Sequence, residues 1–161
     1  MPDSPSTPNA RTASTTTPAM AGIDPRGPRF GAAITSALLV ITLLLSTGPA
    51  ATTLLALVAL LFVLGVTRGV QGTLQGLAFR AWVRPHLAPP SELEDPRPPR
   101  FAQLVGLLVV GTGLLLTALG VPAGVPVAAA FALAAAFLNA AFGVCLGCEL
   151  YLVLRRWTPR N

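Results

Sequence analysis

A seven-residue segment of this chain occurs twice, and each copy stands directly before a long apolar stretch. Residues 24–30, with the sequence DPRGPRF, return 71 residues later as DPRPPRF at residues 95–101. A second apolar stretch follows the first in both places. The repetition predicts two tandem copies of a unit with two long helices, repeat one over about 23–90 and repeat two over about 94–157.

The distribution of apolar residues places these stretches in a membrane. Hydrophobic residues make up 53% of the chain and charged residues only 11%, a composition that excludes a large soluble enzyme. Four apolar blocks come close to the ~20 residues that cross the hydrocarbon core, and they lie at about 30–46, 51–66, 101–119 and 127–154. They are too continuous for barrel strands. We therefore predict an all-α integral membrane four-helix bundle over residues 23–157, with its repeats related by a parallel pseudo-two-fold axis.

Arginines give this predicted bundle an orientation. All 11 basic residues are Arg, and none falls in the two turns at 47–53 and 120–126. The positive-inside rule then places both termini and the Pro-rich loop at about 85–100 in the cytoplasm, with the four helices in a bacterial inner membrane. No basic stripe runs along a helix, so we expect the lipid bilayer, and not nucleic acid, as a partner. Residues 1–22 are rich in Pro, Ser and Thr, which predicts a disordered cytoplasmic tail.

The repeated segment also suggests where the helices begin and end. Prolines disfavour helix, so each span is expected to start after those of the segment, whose arginines and phenylalanine then form an interfacial anchor. Arg68 leaves two alternatives for the second helix. Either it continues to Arg84 and places Arg68 inside the membrane, or it ends near Arg68 and residues 72–84 lie along the interface. The second is favoured, because a central arginine costs about 2.5–3.5 kcal/mol on insertion scales.

Two glycine pairs share the offset of the repeat. Gly72 and Gly76 fall on Gly143 and Gly147, and each pair has the Gly-x-x-x-Gly spacing that lets helix backbones approach closely in lipid. This spacing predicts that the second and fourth helices meet through these faces. The alternative is a chance spacing, since glycine is common in membrane helices.

The second copy alone carries a Cys-x-x-Cys pair, Cys145 and Cys148. On a continuous fourth helix the two thiols lie one turn apart near the cytoplasmic end, with Glu149 beside them and Asn139 deeper in the same interior. An acidic residue at that depth indicates a functional site. The pair can cycle between dithiol and disulfide or carry a persulfide, and nearby arginines favour the thiolate.

Two other interpretations of the cysteine pair stay open. A metal ion needs more than two thiolates and one carboxylate, and His86, the only His, lies in the predicted cytoplasmic loop as a solvated residue. Packing is the remaining alternative, because cysteines behave as small apolar residues beside the neighbouring glycines. We expect no metal and no cofactor, and we assign the reactive role to the two cysteines and a tuning role to Glu149 and Asn139.

Three segments of the chain resemble a known family. They are IDPRGPRF at residues 23–30, PPSELEDP at 89–96 with PRFAQ at 99–103, and FLNAAFGVCLGCELY at 137–151. Together they are similar to the family catalogued as domain of unknown function (DUF) 4395, and the resemblance covers about residues 22–157. It implies a small four-helix membrane protein of bacteria, common in actinobacteria, and no established reaction. Members often neighbour thioredoxin-like and sulfurtransferase proteins, which favours thiol or sulfur handling.

The leading hypothesis is a membrane thiol–disulfide or sulfur-relay component that uses the cysteine pair. It implies a cytoplasmic thioredoxin-like or sulfurtransferase partner that docks near the central loop. One alternative is a non-enzymatic scaffold or assembly subunit, in which the cysteines only pack and glycine faces hold partners, including further copies of the chain as a homo-oligomer. Another is a small-solute permeability pathway with a polar lining, formed by Arg68, Gln71, Gln75, Asn139 and Glu149.

Overall fold

The computed structural model describes residues 22–157, and these residues form helices joined by short turns. Two helices are short, and four are long. In chain order they are α1 (Arg26–Leu44), α2 (Pro49–Arg68), α3 (Leu74–Ala78), α4 (Arg97–Ala118), α5 (Gly124–Phe142) and α6 (Leu146–Trp157). Single turns of other helix types lie between α2 and α4, at Val70–Gly72, Phe79–Val83 and Arg84–His86. The predicted disordered tail falls on residues outside the described part of the chain.

The four long helices, α1, α2, α4 and α5, have the length and composition of membrane spans. They contain 19 to 22 residues and have a mean hydropathy between 1.5 and 2.4. At most 22% of the most apolar stretch of each helix is buried inside the bundle. Large apolar side chains therefore face outward, among them Leu44, which is 79% exposed, and Leu108, which is 61% exposed. Lipid accepts such a surface, whereas in water it would drive aggregation. The predicted all-α membrane four-helix bundle is confirmed.

The helices α1 and α4 begin inside the repeated segment. The Asp24 carboxylate accepts a hydrogen bond from the Arg26 N–H at 3.0 Å, and the Asp95 carboxylate accepts one from Arg97 at 2.9 Å. The expectation that the spans start only after the prolines is wrong, since Pro28 lies in the first turn of α1. A first-turn N–H has no partner inside its helix, so a proline at that place removes no hydrogen bond.

The core joins each half of the chain to the other. α1 packs along α5 and α2 packs along α4, while α2 and α5 make few contacts. The prediction that the second and fourth long helices meet through Gly-x-x-x-Gly faces is therefore wrong. A close approach of two backbones instead joins α4 to α5, where a Cβ on Gly113 would stand 2.7 Å from the carbonyl oxygen of Gly124. Between the helices, Leu55, Val58 and Val110 are fully buried.

The two ends of the bundle differ in charge. The hairpin end holds the uncharged turns at 45–48 and 119–123, and the arginine end holds the starts of α1 and α4 with the ends of α2 and α5. Every described arginine lies at the arginine end or in the segments that continue from it. α2 ends at Arg68, whose side chain is exposed, and Gly69 then turns the chain with a φ of +75°. The second helix thus stops at the residue where the favoured alternative placed its end.

Corresponding positions of the two halves make corresponding contacts. Phe30 of α1 packs on Phe79 with ring centroids 5.8 Å apart, and Phe101 of α4 packs at 5.6 Å on Tyr151, which lies one position beyond the repeat offset of Phe79. Two further residues at the repeat offset pair with each other: Ile23 and Glu94 exchange backbone hydrogen bonds of 2.9 and 3.0 Å. Equivalent residues that lie beside a two-fold axis contact each other reciprocally in this way. The tandem duplication stays a prediction, which these contacts support.

Candidate functional site

The segment that carries the cysteine pair is a break between two helices. α5 ends at Phe142, and Gly143 follows with a φ of +72°, a left-handed conformation that glycine adopts without strain. The Gly143 N–H still donates to the Asn139 carbonyl oxygen at 3.0 Å, and α6 begins at Leu146. The prediction of one apolar helix continuing to Leu154 is therefore wrong, because the glycine turns the chain after Phe142.

Cys145 caps the start of α6. Its sulfur accepts a hydrogen bond from the Cys148 N–H at 3.4 Å, and its carbonyl oxygen accepts one from the Glu149 N–H at 3.0 Å. The sulfur thereby satisfies one of the N–H groups that a helix start leaves unpaired. The two cysteines form a disulfide, with their Cα atoms 5.2 Å apart. The sequence predicted both cysteines inside one helix. In the structure Cys145 precedes α6, and the disulfide closes over the N-terminus of that helix.

Two features near this disulfide favour negative charge on sulfur, while the Glu149 carboxylate in the first turn of α6 opposes it. The helix dipole places partial positive charge at the start of α6. The Arg29 side chain, from the first turn of α1, also lies at the break. Its guanidinium donates to the Ala141 carbonyl oxygen at 3.5 Å and stands 3.6 Å from the place that a Cβ on Gly143 would take. Thiolates beside a helix N-terminus and an arginine are the reactive kind in proteins.

Arg29 is a residue that sequence reasoning did not assign to the site. Its place in the repeated segment suggested a contact with lipid phosphate, whereas its side chain reaches a residue 112 positions away in the chain. Arg100, at the same place in the second copy, donates to the Val66 and Thr67 carbonyl oxygens at the end of α2. Arginines suit the unpaired carbonyls of a helix C-terminus. The repetition of the arginine was an available signal, but its partners could not be identified from one sequence.

The break separates the two residues that were assigned to tune the cysteines. Glu149 lies exposed in the first turn of α6, where a carboxylate complements the helix dipole. Asn139 lies half-buried in the last turn of α5, on the other side of the break. The side-chain amide of Asn139 makes no hydrogen bond to another residue in the range 22–157. Both residues line the same cavity as the two cysteines, and their tuning role stays a prediction.

That cavity lies between the two halves at the arginine end and has a volume of about 610 Å³. The volume is within the ~300–1,000 Å³ of small-molecule sites. Most of the wall is apolar and is formed by α1, α2, α4, α5 and α6. Its polar atoms come from Arg29, from the carboxylates of Glu94, Asp95 and Glu149, and from uncharged side chains such as Gln103. The far end reaches Phe131, which is 70% exposed. The cavity therefore opens sideways, toward the surface that lipid covers.

Other polar residues have structural partners. Gln75 donates to Thr35 at 3.2 Å, and both side chains are buried. A ring nitrogen of His86 lies 2.9 Å from a backbone carbonyl oxygen in the exposed segment before α4. Of the five residues suggested for the polar lining of a permeability pathway, Gln75, Asn139 and Glu149 line the cavity, whereas Arg68 and Gln71 do not. Within residues 22–157, no group of three or more His, Cys, Asp or Glu side chains could hold a metal ion.

The fold and the site together define a small polytopic membrane protein with a disulfide at a helix start. The family model for the Domain of unknown function (DUF4395) matches residues 23–156. This match covers most of the chain, and the protein belongs to that family. The resemblance of the sequence to the family is thereby confirmed. No curated protein and no solved structure matches the chain.

Proposed function

We propose that the protein is a membrane thiol–disulfide exchange or sulfur-relay component, with Cys145 and Cys148 as its reactive pair. The observation that carries this proposal is the position of the disulfide, which closes over the start of α6 and lines a cavity. Stabilisation of the fold is a weak reason for such a disulfide, because a link between residues three apart restrains the unfolded chain little. An accessible sulfur atom at a helix start is better suited to thiol–disulfide exchange than to a structural role.

The orientation that we propose supports a reactive disulfide. We place the arginine end on the cytoplasmic side of a bacterial inner membrane, because the uncharged hairpin turns and the arginine-rich opposite end follow the positive-inside rule. Both termini then lie in the cytoplasm. Disulfides in that compartment are usually transient and catalytic or redox-sensing, since glutathione and thioredoxins keep other thiols reduced.

The exchange reaction that we propose begins with a thiolate of a cytoplasmic thioredoxin-like partner. It attacks Cys145, a mixed disulfide forms on Cys145, and Cys148 leaves as a thiolate at the start of α6. A second thiolate of the partner then attacks the mixed disulfide and closes the partner's own disulfide, so that two electrons have moved to the pair. In the sulfur-relay form, the Cys145 thiolate instead accepts a sulfane sulfur from a sulfurtransferase partner.

Single cysteine variants test the proposal by trapping the partner in intact cells. Each variant keeps one thiolate that can form a mixed disulfide and lacks the second cysteine that would resolve it. We expect Cys148→Ser to accumulate more of this adduct than Cys145→Ser, because only Cys145 occupies the capping position that favours the thiolate. Non-reducing gels and mass spectrometry detect the adduct. An added sulfur atom on Cys145 in place of a protein adduct indicates the sulfur-relay form.

Alkylation of the native chain in intact cells, with and without reductant, provides the control. It reports whether the two thiols are joined and on which side of the membrane they lie. Thiols that never react in the native membrane, together with unchanged growth under sulfur stress in a variant that has both cysteines replaced by serine, would contradict the proposal. The cysteines would then be packing residues, as the scaffold alternative expects.

A further inference from the structure

We propose that the cavity between the two halves binds a lipid-soluble quinone, which takes two electrons from the Cys145–Cys148 pair. This inference rests on the proposed function, because it names the electron acceptor of the same two cysteines. Once a partner has reduced the pair, the pair needs an acceptor before it can react again. The chain has only 2 cysteines, and its described part holds no metal-binding cluster, so the acceptor comes from outside the chain.

The position of the cavity connects the disulfide to the interior of the membrane. Along α4 its wall runs from Pro98 to Val109, which is roughly 16 Å of helix. This length is about half of a hydrocarbon core ~30 Å thick. The cysteines lie at one end of the cavity and Phe131, exposed to lipid, lies at the other. A molecule dissolved in the bilayer therefore reaches the sulfur atoms sideways, without crossing water.

The chemistry of the wall matches a flat ring with two carbonyl oxygens and an apolar tail. Apolar side chains such as Phe62, Val105 and Phe131 form most of the surface. The Asn139 amide lacks a partner within the described residues and lines the cavity, so its N–H groups can donate to one quinone carbonyl oxygen. Arg29 supplies a second donor on the same wall. A free anionic sulfur compound fits this wall less well, because apolar surroundings disfavour an isolated charge.

The reaction balances between the cysteines and the quinone. Two S–H bonds break at Cys145 and Cys148, and one S–S bond forms. The two electrons and two protons convert both quinone carbonyls into hydroxyl groups, and a hydroquinone leaves. Negative charge that develops on a quinone oxygen during the transfer is stabilised by Arg29 and by the start of α6.

The test uses the full chain, reduced, freed of reductant and reconstituted in lipid nanodiscs without oxygen. The acceptor is decylubiquinone, whose ring has no open position for direct addition of a thiol. We expect one hydroquinone, measured by absorbance, for each disulfide, measured by the loss of alkylatable thiols. Ala135→Leu partly fills the cavity and is expected to slow the reaction about tenfold, which corresponds to ~1.4 kcal/mol of lost binding. Ala134→Leu is the matched control, because Ala134 is exposed and lies outside the cavity wall.

A second variant tests the polar contact. Asn139→Leu is expected to raise the quinone concentration for half-maximal rate about tenfold, the effect of one lost hydrogen bond. For a variant that fails to fold, labelling of the native chain with an azidoquinone replaces the kinetic test. Labels on peptides of α4 and α5 that line the cavity support the site, and labels confined to other peptides overturn it.

The outcomes separate this inference from the proposed function. Equal rates for Ala134→Leu and Ala135→Leu, or a rate that never saturates with quinone, overturn the cavity as the quinone site. A pair that exchanges with soluble dithiols but leaves decylubiquinone oxidised overturns the quinone inference alone. A pair that reacts with neither overturns the proposed function as well.

Discussion

Thr73 and Cys145 occupy matching places in the two halves of the molecule, and only the second carries a reactive atom. Each precedes a short helix and accepts a side-chain hydrogen bond from the N–H three residues on, Gly76 at 3.1 Å and Cys148 at 3.4 Å. Thr73 is 2% exposed, whereas Cys145 is half-buried. The same way of starting a helix therefore gives a sealed hydroxyl cap in one half and an accessible sulfur in the other.

The residue two places after the cap also differs between the two halves. Gln75 fills the first site and donates to the buried Thr35. The second residue of α6, counted from the helix start as Gln75 is in α3, is Gly147, which lies directly against the backbone of Ala102 in α4. A buried polar side chain thus follows the cap in α3, whereas a glycine follows it in α6 and brings that helix against α4, and both caps line the cavity. We infer that the first half has a structural role and that the second half carries the reactive disulfide.

The largest expected effect on stability comes from the glycine of the second half. A Cβ on Gly147 would stand 2.6 Å from the Ala102 Cα, so Gly147→Ala is expected to lower the free energy of unfolding by about 1–3 kcal/mol. Gly111→Ala is the control, because a Cβ there meets no atom within 4 Å. Reversible denaturation in detergent measures both. A Gly147→Ala variant as stable as the native chain would show that α6 does not lie so close to α4.

Removing the hydroxyl cap of the first half sharpens the comparison. Thr73→Ala is expected to lower the free energy of unfolding by about 1 kcal/mol, because the Gly76 N–H loses its acceptor. Thr73→Ser keeps the acceptor and should be close to native. Thiol exchange at the cysteines should stay unchanged in both variants. A large loss of exchange in Thr73→Ala would mean that the first half also takes part in the chemistry.

Replacing each of the two repeated arginines is expected to have the smallest effect on stability. The comparison of the two variants is also the most selective test. Arg29→Gln and Arg100→Gln each remove a cation from a helix C-terminus, which is worth about 0.3–1 kcal/mol. Only Arg29 lies at the break that carries the cysteines, so only its variant should slow thiol exchange, by roughly the twofold to fivefold that such an energy corresponds to. Stopped-flow alkylation of the reduced chain measures the rate. Equal rates in the two variants would contradict an electrostatic role for Arg29.

The four spans could be predicted from the sequence because long apolar runs and uncharged turns are local signals. The second span was placed at about 51–66, and α2 covers Pro49–Arg68. The starts of α1 and α4 were placed too late, because proline was treated as a barrier although the first turn of a helix tolerates it. The length of the apolar runs thus predicts which segments span the membrane, whereas the residue preferences of the first and last helical turns determine where each helix begins and ends.

The break before α6 could not be seen in the apolar pattern, because hydrophobic residues continue on both sides of Gly143. A glycine inside such a run fits a helix face and a helix end equally well, and contacts with distant residues decide between them. Arg29 reaches the end of α5 from the other half of the chain. The cysteine pair itself was visible from its spacing, but its place at a helix start depends on that break.

The backbone bridge between Ile23 and Glu94 has a consequence for how the protein can be assembled. It ties the starts of α1 and α4 through main-chain atoms, while α1 packs on α5 and α2 on α4. All of these contacts cross between fragments that would result from a cut within the exposed residues 91–93. Two separately synthesised pieces keep every one of them, so the complete bundle can form without a covalent connection.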